Sequence, residues 1–295
     1  MDDLSRYPLR NYRLLEKIGH GRKAEVYLAQ HATLPQSLAI KFICAELSMD
    51  DKFCAQFERE AQIFAGLTHP NLARVFDFGI HQNRCFLVIE YLKGITLKEY
   101  LKKKYISGNL LPLEEIIKII TQIGGALAYL HQAGIIHREI KPDNIWLTQD
   151  GRICLSDFGV ARTTDLDGDQ TSWGAILGTP AYMSPEHILS EGVHISPASD
   201  IYSLGIILYE MLAGEPPFTA NTPILLMLKH LNEPIPHLNT PLLNIPEVLE
   251  EIICKALAKD PAQRYQDANL FLHDLQETLK RSVRFPRLQP EPALC

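Results

Sequence analysis

Gly19-His20-Gly21-Arg22-Lys23-Ala24-Glu25-Val26 sets two glycines one residue apart between two apolar runs. The segment reads as a glycine-rich hairpin, although taken alone it is better read as an ordinary β-turn. Its strand-loop-strand setting differs from the strand-loop-helix setting of a dinucleotide fold. The chain also has no GxxxxGK[ST] run, which disfavours a P-loop ATPase. Fifteen residues beyond Val26, Leu38-Ala39-Ile40-Lys41 puts an ammonium inside an apolar strand. A charge there is costly unless it is paired, so a partner is expected. Glu60, in Phe57-Glu58-Arg59-Glu60-Ala61, is placed to supply one. Either residue alone reads as a surface charge; with the hairpin they form a phosphate-handling arrangement.

A second group of chemically capable residues is Ile135-Ile136-His137-Arg138-Glu139-Ile140-Lys141-Pro142-Asp143-Asn144. It is followed 13 residues after Asn144 by Asp157-Phe158-Gly159, and then by Ser184-Pro185-Glu186. The six cysteines (44, 54, 85, 154, 254 and 295) include no CxxC pair and no zinc-like spacing with histidine, which points to a reduced, cytoplasmic chain.

The elements that must position these residues fall into two parts. From Tyr12 to about Lys93, short apolar runs at 14–18, 26–29, 38–43, 72–78 and 85–89 read as strands. One helix interrupts them: Asp50 to Leu67 carries Phe53, Phe57, Ala61 and Phe64 at helical spacing, with Gly66 and His69-Pro70 ending it. Beyond Gly94 the pattern is long amphipathic helices. Pro112 opens one, with apolar positions 113, 116, 117, 120, 127 and 130, that Gly134 stops; others are expected at 200–212, 246–258 and 267–279. The expected boundaries are an N-terminal extension over 1–11, a strand-rich lobe over 12–93, a helical lobe over 94–280 and a proline-containing tail over 281–295.

A length of 295 residues suits one large domain or two lobes sharing a cleft. With 46% hydrophobic and 22% charged residues the composition is that of a globular enzyme and too apolar for a disordered chain. Apolar stretches such as Ile201 to Leu212 are broken by Ser203, Gly205 and Glu210, so no membrane span is expected, and Met1-Asp2-Asp3 does not open a signal peptide. A net charge of −6 argues against nucleic acid as the main partner, and Lys102-Lys103-Lys104 reads as a solvated helix end.

The order and spacing of these segments resemble those of the protein kinases, over roughly Tyr12 to Lys280, and extend to Asp200 in Ser199-Asp200-Ile201 and to Arg264 in Asp260-Pro261-Ala262-Gln263-Arg264. The resemblance implies an α+β, bilobal protein kinase-like fold, with a small antiparallel β-sheet N-lobe carrying one main helix and a larger, mainly α-helical C-lobe. It implies that the Gly19 to Ala24 loop, flanked by Ile18 and containing Gly21, covers the phosphates of ATP, while Lys41 reaches the α and β phosphates and pairs with Glu60. Asn144 and Asp157 match the family's metal positions, suited to Mg2+ with Mn2+ as an alternative. Adenine would lie between Val26 and Ala39 on one side and the 145–147 strand on the other, its edge against backbone at Glu90 to Leu92, with Ile89 as gatekeeper. Trp146 stands where a smaller aliphatic side chain is commoner and reads as a larger floor for the ring. Lys141 and Thr179 resemble serine/threonine rather than tyrosine kinases. Asp200 would brace the catalytic loop, and Arg264 would pair with Glu186.

Two residues depart from the pattern. Ala24 replaces the third glycine of the loop, a modest change. Glu139 stands where the family has the aspartate that orients the substrate hydroxyl and accepts its proton. The charge is kept, but the added methylene moves the carboxylate by about one bond, and a misplacement of ~1 Å costs roughly 100-fold in rate. Three readings follow: a slow kinase, a nucleotide-binding pseudokinase acting as a scaffold, or an altered form of an aspartate-bearing parent. The presence of Lys41, Glu60, Lys141, Asn144 and Asp157 favours the enzyme.

The resemblance also makes the stretch after Asp157 an activation segment, with Thr163, Thr164, Thr171 and Ser172 as candidate phosphorylation sites. Thr171 is preferred, Arg138 is the arginine that would pair with the phosphate, and an unmodified loop is the alternative. The partners implied are proteins with serine or threonine acceptors, and a dimer is compatible with the sequence. The runs around 157–162 and 178–186 look most like bacterial relatives of the eukaryotic kinases. Many of those continue into a membrane anchor or sensor, so this chain is expected to be free-standing or the N-terminal module of something longer.

Overall fold

A computed structural model describes residues 9, 11–21, 24–157, 180–189, 195–238 and 247–284. The chain divides into two compact units, Met1–Lys98 with Pro142–Leu177 and Glu99–Lys141 with Gly178–Cys295.

In the first unit β1 (Tyr12–His20), β2 (Ala24–His31), β3 (Ser37–Ile43), β4 (Val75–His81) and β5 (Arg84–Glu90) form an antiparallel sheet in the order β1-β2-β3-β5-β4. Side chains alternate across a strand. Tyr27, Ile40 and Val88, paired across three strands, therefore share one face, and with Leu14, Ala29, Leu38, Phe42 and Phe86 they build a core. The β4–β5 turn has positive φ at both Gln82 and Asn83, the two-residue geometry whose twist matches the flanking strands. β4 begins at Val75 rather than at Leu72, where the apolar run starts. The residues before it are committed elsewhere: Ala73 N–H donates to Leu155 O and Leu155 N–H donates to Asn71 O.

Between β3 and β4 lie α1 (Ala45–Ser48), a short turn that the apolar pattern does not announce, and α2 (Asp51–Ala65). The Asp50 carboxylate caps α2 by accepting from Lys52 N–H, and Phe53, Phe57, Ala61 and Phe64 form its buried stripe. A second sheet, β6 (Gly94–Thr96), β7 (Ile145–Thr148) and β8 (Ile153–Leu155), is joined to the same unit through the Leu155 contacts.

α3 (Leu97–Ile106) begins in the first unit and ends in the second, with Lys102 and Lys103 exposed near its C-terminus. The second unit is otherwise helical: α4 (Leu113–Gln132), α5 (Pro185–Leu189), α6 (Pro197–Ala213), α7 (Pro223–Asn232), α8 (Glu247–Ala256) and α9 (Ala268–Arg284). α4 starts after Pro112 and stops at Gly134, whose φ of 74° only glycine adopts without strain. α6 opens with a reciprocal Ser196–Ser199 capping box and is buried along nearly all its length. α9 runs five residues past Leu279, to the position two before Pro286. Among the described residues no helix is long and apolar enough to cross a membrane.

Candidate active site

The sheet register puts the first unit's candidate residues on one face. Val26, Lys41 and Leu87 are cross-strand partners, as are Leu28, Ala39 and Ile89, so Val26, Ala39, Lys41 and Ile89 point the same way. Gly19 pairs with Val26, and a methyl group on Gly19 would meet Val26 Cβ at 3.4 Å. Gly21 N–H donates to Ala24 O at 2.9 Å, closing the hairpin; Ile18, in the irregular register between Lys17 and Gly19, is 42% exposed.

Lys41 has the partner its apolar strand demands: Nζ lies 2.7 Å from Asp157 Oδ1. Glu60 sits on α2, where Gln56 Nε2 donates to its Oε1 at 3.4 Å. Asp157 holds a φ of 57°, a left-handed backbone rare outside glycine. Asn144 ends a 3-10 turn (Pro142–Asn144) and is buried, its carbonyl accepting from Ser156 N–H at 2.8 Å. This bond ties Asn144 to the residue before Asp157. A carboxylate and an amide are hard oxygen donors, the kind magnesium takes in small number when substrate phosphates complete its shell. Among the described residues no cluster of three His, Cys, Asp or Glu offers an all-protein metal site.

The segment after β5 is held from several sides. Glu90 N–H donates to Arg74 O at 2.8 Å, while its carboxylate accepts from Arg152 Nη2 at 2.6 Å. Arg152 Nε in turn donates to Asp150 Oδ2 at 2.8 Å. Gln149 N–H donates to Lys93 O at 2.8 Å, and Gly94 lies so close to β7 that a Cβ there would fall 2.1 Å from Leu147 O. Trp146 packs on Leu92, Ala73 and Cys154, giving an apolar patch beside that segment. Burial raises the Cys154 thiol to about 11, so it stays protonated and apolar in character. Arg152 escapes a motif search; the Asp150-Gly151 turn before it was the only local signal of its hairpin.

In the second unit Lys141 Nζ lies 2.6 Å from Glu139 Oε1, and Glu139 N–H donates to His137 Nδ1 at 3.3 Å. Asp200, on α6, braces this loop as its position suggests: Oδ2 accepts from His137 N–H and Oδ1 from Arg138 N–H, both at 2.8 Å. His131 Nε2 lies 2.9 Å from Oδ2 and must be its donor, because an ionised carboxylate only accepts. Burial, the largest single influence, would raise the Asp200 carboxyl; the His131 bond and the other favourable contacts, the His137 N–H among them, together hold it below the usual range. His131 gave no signal in the sequence beyond its place near the end of α4. Arg138 has a φ of 66°, the second strained backbone among the candidate residues.

The protein kinase domain family matches residues 12–276. This chain belongs to it. Among curated proteins, the kinase domain is similar to the serine/threonine-protein kinase PrkC of Bacillus subtilis, 38% identical over 277 residues that make up 94% of this chain and 41% of that protein. It is 37% identical over 270 residues to the serine/threonine-protein kinase PknB of Mycobacterium tuberculosis, covering 90% of this chain and 42% of that one. The chain thus spans about two-fifths of the length of these relatives. Among solved structures it is similar to the M. tuberculosis PknI kinase domain, with a TM-score of 0.72 and 28% identity, covering 94% of this chain and 98% of that one. The fold is accordingly the α+β protein kinase fold.

One pairing expected of a kinase domain is present in full. Arg264 Nη1 and Nη2 donate to Glu186 Oε1 and Oε2 at 2.6 and 2.8 Å, with both side chains buried. Burial would raise the Glu186 carboxyl, but the bond from Arg264 and its charge keep it below the ordinary value. Thr163, Thr164, Thr171, Ser172 and Thr179 lie outside the described residues.

Proposed function

We propose that this kinase domain transfers the γ-phosphoryl group of ATP to serine or threonine hydroxyls of proteins. The observation that carries the reading is the 2.7 Å contact between Lys41 Nζ and Asp157 Oδ1, two residues 116 positions apart. It gathers the candidate phosphate-binding cation and the candidate metal-binding carboxylate. Val26, Ala39 and Ile89 share the face of Lys41, which suits an adenine ring, and Trp146 with Leu92 offers an apolar floor.

Magnesium, with manganese as a substitute, would be held by Asn144 and Asp157 and would neutralise charge on the β and γ phosphates. Lys41 orients the α and β phosphates and Glu60 steadies Lys41. Glu139 accepts the hydroxyl proton as the substrate oxygen bonds to the γ-phosphorus and the bridging oxygen leaves with ADP. Lys141 compensates charge on the transferring group. Arg138 would receive a phosphorylated activation-segment residue, Thr171 first among the candidates.

The test is magnesium-dependent transfer of radiolabelled γ-phosphate to a generic protein substrate, with phosphoamino-acid identification, for this chain, Glu139→Asp and Lys41→Met. Phosphoserine or phosphothreonine above the Lys41→Met level is expected from the first two. Nucleotide binding without transfer by either would replace the enzyme with a nucleotide-binding scaffold.

A further inference from the structure

The β7–β8 hairpin grips the Glu90–Gly94 segment at both ends. At the far end the grip is backbone: Gln149 N–H to Lys93 O, then the Gly94↔Thr148 and Ile95↔Leu147 pairs. At the near end it is a charged side chain, Arg152, reaching the Glu90 carboxylate at 2.6 Å. Arg152 is itself held, because its Nε donates to Asp150 across the Gly151 turn and its carbonyl accepts from Thr148 N–H at 3.0 Å. A guanidinium held at Nε by Asp150, on a backbone pinned by Thr148, loses little further freedom on binding a carboxylate. The same hairpin carries Trp146, so one rigid element sets both the floor beneath Leu92 and the position of Glu90.

We propose that Arg152 is a positioning residue for adenine, acting through Glu90 to hold the backbone of Glu90 to Leu92 at a fixed place relative to Trp146. The inference rests on the reading of that segment as the adenine contact. It assigns Asp150 the role of holding Arg152 extended. Neither side chain is expected to touch nucleotide, so their effect should fall on base recognition and not on the phosphates.

The test measures dissociation constants of magnesium-ATP, adenosine and magnesium tripolyphosphate for the unaltered chain, Arg152→Ala, the shape-conserving Glu90→Gln, and the double variant. Each single change should weaken ATP and adenosine by about fivefold, the scale of one partly exposed ion pair, and the double variant should be no weaker than either. Tripolyphosphate binding and the melting temperature without nucleotide should be unchanged, and KM for ATP should rise with kcat held. Unchanged adenosine affinity in Arg152→Ala, or equal weakening of tripolyphosphate, overturns the proposal. Should Arg152→Ala fail to fold, Glu90→Gln and Arg152→Lys decide by the same adenosine measurement. Failure of the unaltered chain to bind either ATP or adenosine refutes the functional reading itself, and this inference with it.

Discussion

Lys141 Nζ sits 2.6 Å from Glu139 Oε1, so the carboxylate proposed as the proton acceptor is engaged by the lysine two residues on. On the proposed reading, the added methylene displaces this carboxylate from where an aspartate would hold it by about one bond length. Glu139→Asp should therefore raise kcat by at least about tenfold while leaving KM for ATP nearly unchanged; misplacement by ~1 Å is worth roughly 100-fold. Steady-state kinetics of the two proteins check this.

The Lys41–Asp157 contact predicts a distinct pattern. Lys41→Met should abolish detectable transfer and weaken magnesium-ATP by about tenfold, as expected for loss of a charge-assisted phosphate contact. Lys41→Arg keeps the charge but replaces a point ammonium by a planar fork, and should rescue binding better than turnover. Calorimetric titration beside the transfer assay separates the two.

Arg264 and Glu186 are both essentially inaccessible to solvent and joined by two parallel bonds. Replacing either with alanine leaves the other charge buried, so a loss of about 3–5 kcal/mol in stability is expected by denaturant unfolding. The pair also carries a pH signature. The folded-state pKa of Glu186 lies below its ordinary 4.5, so its contribution is full above that value and is lost as pH falls through the depressed folded pKa. In Glu186→Gln that segment of the acid-unfolding curve should be missing.

At Asp200 the expected effect is one of mismatched donors. The carboxylate accepts from two backbone N–H groups and from His131, and an amide nitrogen in Asp200→Asn would face at least one of these donors. A destabilisation of about 1–3 kcal/mol, the cost of an unsatisfied buried polar group, should accompany a fall in kcat as the 137–139 loop loses its brace. Thermal unfolding and turnover of the same variant provide the check.

Much of this was legible because it is local. The apolar stripe of α2, the proline start and glycine stop of α4, and the alternation that strands Lys41 in β3 are all written in neighbouring residues. The Glu186–Arg264 and Asp200 contacts followed from resemblance, since nothing within a few residues of either announces a partner. Long-range pairing was the illegible part. The Leu155 link to 71–73 spans more than 80 residues and moved the start of β4, and the Arg152 contact to Glu90 spans 62. Sequence marked Lys41 as a charge in need of a partner, but its 2.7 Å contact to Asp157, 116 positions away, depends on chain crossings that no periodicity encodes.

Arg138 and Asp157 share one backbone property, positive φ, and it places them in tension with any attempt to harden this domain. Glycine at either site would relieve about 1 kcal/mol of conformational cost, a gain that at Asp157 is set against the loss of Lys41's ion-pair partner. It would also erase the guanidinium or the carboxylate on which the proposed chemistry depends. A campaign to improve thermal robustness must therefore hold both positions fixed while it seeks gains elsewhere.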